Sequence, residues 1–321
     1  MSLTQKALFI ESKHGPFKVS ERDIPTPGPG QLLVRIEAVG LNPVDWKIQK
    51  YGFIVETYPA IIGSEIAGVV ERVADGVEGF AREADSAAKI PSHLSFEEAA
   101  TIPATLATAF VGLYLPLPHG VGLVPPLETA NRGKYSRKSL VVIGGATSVG
   151  QFVIQLAKLS GFSCIIATAS LKHSEYLRSI GATHVLDRNL DKAALAAEVS
   201  KITSNPIEIV FDTVSLPKTQ EIGYSLLSPG GNIALLLPAS FTPIKGKNIV
   251  NVMGFFTPPY SRELGLQFYK KLEELLDAGL IKPLRFEVVP GGLNAVVDGL
   301  ERLQADKVSG VKLVVRPHET I

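Results

Sequence analysis

Apolar and polar positions follow two regimes along the 321 residues. Up to about residue 75 the period is two. Lys6–Glu11, Phe17–Glu21 and Leu32–Leu41 (LLVRIEAVGL) read as strands. Ser64–Val73 reads as another, reached through Ile61–Gly63, with glycines where a barrel would bend. Pro25, Pro27, Gly28, Pro29 and Gly30 make a turn cluster between them. From Ser139 onward, short β-branched runs alternate with helical stripes. Leu140–Ile143 suits a strand buried on both faces. After Gly144 and Gly145, the residues Val149, Val153, Leu156 and Ala157 fall at i, i+4, i+7 and i+8. They form one face of a helix, with Lys158 near its last turn and Gly161 as its left-handed stop. Further strands are predicted at 163–168, 184–186, 207–211 and 232–237, a sixth at Asn248–Phe256, and a helix near 173–180. That alternation predicts a parallel sheet with right-handed crossovers.

Between the two regimes, Ser95–Ala107 reads as a helix start. Ser95 and Glu98 have capping-box spacing, and Pro103 interrupts the pattern. Leu115–Lys138, with four prolines and three glycines, is a long irregular segment of the kind that is usually functional or mobile. Past the sheet, 263–279 is an amphipathic helix with Phe268, Leu272, Leu275 and Leu276 on one face. Strands follow around Phe286–Val289 and Val311–Val315, with a helix at about 293–305 between them. The expected organisation is α/β: a β-rich domain from both chain ends (1–112 and 257–321) and an inserted parallel-sheet domain (113–256). The ligand is expected in the crevice between them, at the carboxyl ends of the strands.

Composition narrows the function classes. There are 32 basic and 31 acidic residues, a net charge of +1, and no charged block. Nothing in that balance favours a nucleic acid or an anionic membrane as partner. The one cysteine, Cys164, lies in a predicted strand and reads as a small core hydrophobe, so disulfides within the chain are excluded and a reducing cytoplasm fits. No stretch approaches the roughly 20 apolar residues of a membrane span.

The candidate chemistry begins at the glycine turn. Strand, Gly144-Gly145-Ala146-Thr147-Ser148-Val149-Gly150 and helix, in that order, suit a diphosphate. Small residues let it approach the backbone, and the helix start offers free N–H groups. The spacing is not the full G-x-G-x-x-G, and a tight turn in any parallel sheet is the alternative. An NAD site usually carries an acid about 20 residues further on, for the ribose hydroxyls. Here that place holds Ser170, Leu171, Lys172 and His173. A hydroxyl and bases suit a 2′-phosphate, so the expected cofactor is NADPH, with a solvated helix-start lysine as the alternative for Lys172.

Gly40-Leu41-Asn42-Pro43-Val44-Asp45-Trp46-Lys47, Gly63–Gly68 (GSEIAG), GGATSVG at 144–150 and SGVKLVV at 309–315 together resemble the medium-chain dehydrogenase/reductase superfamily. The resemblance spans nearly the whole chain and implies a GroES-like β-rich catalytic domain plus a Rossmann-type domain. The superfamily's zinc alcohol dehydrogenases place Cys near Asn42 and His near Ser64. Both are absent here, as is the four-cysteine lobe, and the six histidines show no ligand spacing, so no metal is expected. The chain looks most like the zinc-free branch: quinone and enone reductases, and above all fungal trans-acting enoyl reductases. Carried over position by position, the resemblance implies that Asn42, Pro43, Val44, Asp45 and Trp46 line the nicotinamide, with Lys47 and Thr108 as the catalytic pair. Gly144, Gly145, Thr147, Ser148, Val149 and Gly150 would hold the diphosphate, and Ser170–His173 the 2′-phosphate. Arg188 would stand near the adenine, and Leu236, Leu237, Ser309 and Gly310 would close over the cofactor.

The implied activity is NADPH-dependent reduction of the C=C bond of an α,β-unsaturated thioester or ketone. It would act in trans for a polyketide synthase, as a cytoplasmic monomer or homodimer. Alternatives are a quinone oxidoreductase, an alkenal reductase, or a cofactor-binding protein without turnover. Without the resemblance, Asp45 and Lys47 read as an exposed i, i+2 charge pair, and Thr108 as a hydroxyl bonded to its own helix. One departure stands out. After Phe80 the superfamily continues with a strand, a loop and a returning strand, whereas here AREADSAAKIP follows at once. The β-rich domain is therefore expected to be shortened, with an open sheet edge.

Overall fold

A computed structural model describes residues 4–75, 87–244 and 246–321. The departure after Phe80 lies at 76–86, outside the described residues. The chain divides into two compact units, 1–103 with 283–321, and 104–282.

In the first unit, β1 (Thr4–Ile10) and β2 (Phe17–Asp23) form an antiparallel hairpin. β3 (Leu32–Gly40) and β4 (Ile66–Val73) are antiparallel neighbours, with α1 (Pro43–Tyr51) between them in sequence. α2 (Phe96–Ala99) carries the expected capping box: Glu98 N donates to Ser95 Oγ at 3.1 Å, and Ser95 N to Glu98 Oε2 at 2.9 Å. Two register shifts mark β3 against β4, and Gly68 backs directly on the Arg35 carbonyl, where a Cβ would overlap it. That close approach is what the bend at Gly68 requires. Among the described residues, β4 pairs only with β3.

The second unit opens with α3 (Pro103–Tyr114), apolar all round and almost wholly buried. It continues as β5 (Ser139–Ile143), α4 (Ser148–Ser160), β6 (Cys164–Ala169), α5 (Ser174–Ile180), β7 (His184–Asp187), α6 (Lys192–Ile202), β8 (Ile207–Asp212), α7 (Pro217–Leu226), β9 (Asn232–Leu235), β10 (Asn248–Asn251) and α8 (Pro259–Asp277). The six strands form one parallel sheet in the order β10-β9-β8-β5-β6-β7. All five residues of β5 are buried, as a strand covered on both faces must be. Cys164 begins β6, half-buried against the core, as a small hydrophobe.

The chain then returns to the first unit through β11 (Phe286–Val288), α9 (Val296–Gln304) and β12 (Lys312–Val315). These complete a four-stranded sheet in the order β11-β12-β3-β4. The division at 103/104 and 282/283 puts all of α3 past Pro103, and all of α8, in the second unit, where the sequence pattern suggested 112/113 and 256/257. Phe110 of α3 explains this: its ring lies 6.4 Å from Phe256 and 4.4 Å from Phe268 of α8, within one aromatic cluster. Among the described residues no helix is long and apolar enough to cross a membrane.

Candidate active site

The strand order of the second unit reverses between β5 and β8, and in open α/β sheets ligands bind outside the carboxyl ends of the strands at such a point. The glycine turn sits there. Gly144 has φ +79°, and a Cβ on it would press on Val214 and Thr213 at 2.6 and 2.7 Å. Gly145 N donates to Thr168 O (2.9 Å), Gly144 N to Thr168 Oγ1 (3.2 Å), and Thr147 N to Gly144 O (2.9 Å). Thr147 caps α4, its hydroxyl accepting from Gly150 N at 2.9 Å. The same hydroxyl donates to Thr213 Oγ1 at 2.8 Å, and Thr213 in turn donates to the carbonyls of Ile143 and Gly144. The turn is thus braced on both sides by threonines. Ser148 and Val149, half-buried in the first helical turn, have no carbonyl four residues back to accept their N–H groups. Two such donors at the positive end of a 13-residue helix fit an anionic diphosphate.

The neighbouring loops carry the other cofactor candidates of this unit. Ser170 leads into a 3-10 turn, Leu171–His173, beyond β6. Lys172 is exposed, whereas His173 is buried at 7 % exposure, so Lys172 is the base this turn offers to solvent. Arg188, exposed past the end of β7, is tied to the same corner by its N–H on Ala169 O (3.0 Å). Leu236 and Leu237 follow β9, half-buried. Thr108, half-buried in α3, donates its hydroxyl to Ala104 O at 2.7 Å, the intrahelical bond open to it from sequence. Gly254 lies against it so closely that a Cβ there would overlap Thr108 Oγ1.

In the first unit, Asn42 caps α1 and Pro43 occupies its first turn. Asp45 and Lys47 do not form an exposed charge pair. Asp45 is 6 % exposed and accepts from Asn42 N at 2.8 Å, while Asn42 Nδ2 donates to Glu65 Oε2 at 2.8 Å. Lys312 Nζ donates to Asn42 Oδ1 at 2.6 Å and is ion-paired with Glu65, both residues buried. Burial pushes the Asp45 carboxyl up to about 6, against the pull of Asn42 N–H and Lys312. Lys47 is half-buried, its Nζ 5.6 Å from the Trp46 ring centroid. Burial holds its ammonium below the usual lysine range, with Asp306 opposing. Trp46 Nε1 is buried without a partner. Val44 completes the first turn; Ser309 is exposed, and Gly310 (φ +71°) accepts from Arg285 Nη2 at 3.1 Å.

The positions where the zinc branch carries ligands do not suit a metal here. Asn42 has its amide oxygen on an ammonium and its amide nitrogen on a carboxylate, and Ser64 replaces an imidazole. Among the described residues, no group of three or more His, Cys, Asp or Glu is placed to hold a metal ion. Sequence reasoning missed Thr168, Thr213 and Asp212 around the glycine turn. Asp212 is fully buried at the end of β8, its Oδ1 taking the N–H groups of Val214 and Ser215 and its Oδ2 without a partner. Burial raises its carboxyl pKa. An acid closing a predicted buried strand was the available signal.

Comparison with known proteins agrees with this architecture. Residues 28–84 match the alcohol dehydrogenase GroES-like domain and residues 148–251 the zinc-binding dehydrogenase family. A trans-enoyl reductase of Alternaria alternata is 30 % identical, covering 98 % of this chain and 99 % of its own. That alignment runs over 356 positions against a chain of 321, so the relative carries stretches that this chain lacks. A zinc-type alcohol dehydrogenase-like protein of Schizosaccharomyces pombe is 28 % identical, covering 97 % of this chain and 99 % of its own. Among solved structures, an alcohol dehydrogenase superfamily protein from Novosphingobium aromaticivorans superposes with a TM-score of 0.77 at 23 % identity, over 97 % of this chain and 99 % of its own. A two-unit dehydrogenase/reductase with a GroES-like domain and a Rossmann-type sheet is the class these features define. The chain belongs to the medium-chain dehydrogenase/reductase superfamily of oxidoreductases.

Proposed function

We propose that this oxidoreductase uses NADPH to reduce the C=C bond of an α,β-unsaturated thioester or ketone, without zinc. The carrying observation is the braced glycine turn, opening α4 with unpaired N–H groups, in a chain 30 % identical end to end to a trans-enoyl reductase. Ser148, Val149 and the small residues Gly144, Gly145 and Gly150 hold the diphosphate, with Thr147 fixing the turn. Ser170 and Lys172 take the 2′-phosphate, and Arg188 the adenine. The nicotinamide end would be served by Leu236 and Leu237 of the second unit and, by the resemblance, by Asn42–Trp46, Ser309 and Gly310 of the first. A bound reduced nicotinamide would supply the hydride for the β-carbon of the substrate.

The protein's own chemistry is stabilisation of the charge that then develops on the substrate carbonyl oxygen, followed by protonation at the α-carbon. Lys47 suits both tasks: its ammonium is cationic, half-buried, and more acidic than an ordinary lysine. Thr108 can donate only after its hydroxyl turns away from Ala104 O. The enzyme is expected in the cytoplasm, as a monomer or homodimer serving a polyketide synthase.

The test follows NADPH oxidation with a crotonyl-type thioester, a simple enone and a quinone. The thioester or enone is expected to be reduced faster than the quinone. Preference for the quinone would make it a quinone reductase, and saturable NADPH binding without turnover on any of the three would make it a binding protein. Lys47→Ala should lower kcat much more than NADPH affinity; unchanged kcat would remove Lys47 from the chemistry.

A further inference from the structure

Two side chains on α7 hold the loop that follows β9: Tyr224 bonds its far end, at Ile244 N and O, and Gln220 bonds its start. Gln220 is 1 % exposed, and its primary amide has two N–H donors and one oxygen with two lone pairs. All four are engaged. Nε2 donates to Ser215 O (2.9 Å) and to Pro238 O (3.0 Å); Oε1 accepts from Ser240 N (2.8 Å) and Ser240 Oγ (2.9 Å). None of these partners belongs to α7. Ser215 lies in the loop after β8, and Pro238 and Ser240 in the loop after β9. A second stitch runs parallel to the first: Ser215, held at φ +54°, donates from Oγ to Asp212 O (2.6 Å) and accepts from Leu236 N (2.8 Å). A buried amide satisfied at every valence fixes one geometry, because any slippage leaves a desolvated polar group unmade.

We propose that Gln220 is a positioning residue that clips the loop Leu236–Ser240 to the loop after β8, and that NADPH affinity depends on this clip. The proposal rests on the reading that a dinucleotide binds at this end of the sheet, and it adds a residue to which no contact with the cofactor is assigned. The clip holds Leu236 and Leu237 half-exposed at the carboxyl end of β9, without the freedom of an ordinary loop. A clip already made in the unliganded protein lowers the ordering cost of binding.

Gln220→Met keeps the side chain's length and volume while removing all four bonds. Gln220→Glu keeps the acceptor toward Ser240 but turns a buried carboxylate oxygen toward the carbonyls of Ser215 and Pro238, where the amide donated. The full-length proteins are compared by hydrogen exchange without ligand and by equilibrium fluorescence titration with NADPH. Exchange at 236–240 should rise in Gln220→Met while β5 and β8 keep their protection. NADPH should bind this variant about tenfold more weakly, the loss of roughly one to two net hydrogen bonds, with Gln220→Glu binding at least as weakly. Wild-type affinity in Gln220→Met would overturn the proposal and leave the cofactor reading standing. So would unchanged exchange at 236–240, or faster exchange across the whole sheet. Absence of saturable NADPH binding in the wild type itself would remove the cofactor reading, and the clip's role with it.

Discussion

Asp45 occupies the third position of α1, where its carboxylate takes the cap's own N–H, yet it is buried beside Glu65 and Lys312. Its carboxyl is raised to about 6 in the fold. The folded state therefore holds this proton more tightly than the unfolded chain, and the gain is full below the unfolded value and lost as pH rises through about 6. Relative to Asp45→Asn, the wild type should gain up to about 3 kcal/mol on acidification from pH 7 to 4, read from urea midpoints. A constant difference across that range would place the proton elsewhere. Lys312 poses the opposite case. Replacing it by Met takes away the ammonium that faces the buried Glu65 carboxylate, at a cost of about 3–5 kcal/mol. At the other unit, Lys172→Glu should weaken NADPH about tenfold or more while NADH changes little. Equal losses would remove Lys172 from the phosphate site. These partnerships were not legible beforehand, because Asn42 meets residues 23 and 270 positions away and nothing in the local pattern links them.

β5, the glycine turn and α4 were legible, because each is specified locally. A doubly covered strand needs an unbroken apolar run, Gly144 needs its φ of +79°, and Gly161 ends the helix at φ +86°. Thr147 carries the turn's strongest local dependence. Thr147→Ala loses the cap to Gly150 N and the brace to Thr213, and should lower stability by about 1–2 kcal/mol. The variant should also weaken NADPH; a thermal midpoint equal to that of wild type would contradict the brace. By contrast, α1 was not anticipated as a helix: only Asp45 and Ile48 are buried in PVDWKIQKY, so no apolar stripe announces it. α6 buries only Leu195 and Val199, and α7 buries Gln220, Ile222, Gly223 and Tyr224, of which two are polar or glycine, so neither carries a strong apolar stripe. The interruption at Pro103 within Ser95–Ala107 is the start of a new helix, α3, because proline is tolerated in a helix's first turn.

At the scale of the whole molecule, the parallel order β7-β6-β5-β8-β9-β10 and the mixed sheet β11-β12-β3-β4 belong to two units built from three chain segments. The division at 103/104 and 282/283 was less legible, because α3 and α8 join the second unit through an aromatic cluster that only the folded chain assembles. The proposed function stands or falls on the cradle at 144–150 and the basic turn at 170–173 binding a phosphorylated dinucleotide. Equilibrium fluorescence titration of the purified protein with NADPH and NADH tests it most directly. Saturable NADPH binding, at least about tenfold tighter than NADH, is the predicted result. No saturable binding of either, or equal affinity for both, would contradict it.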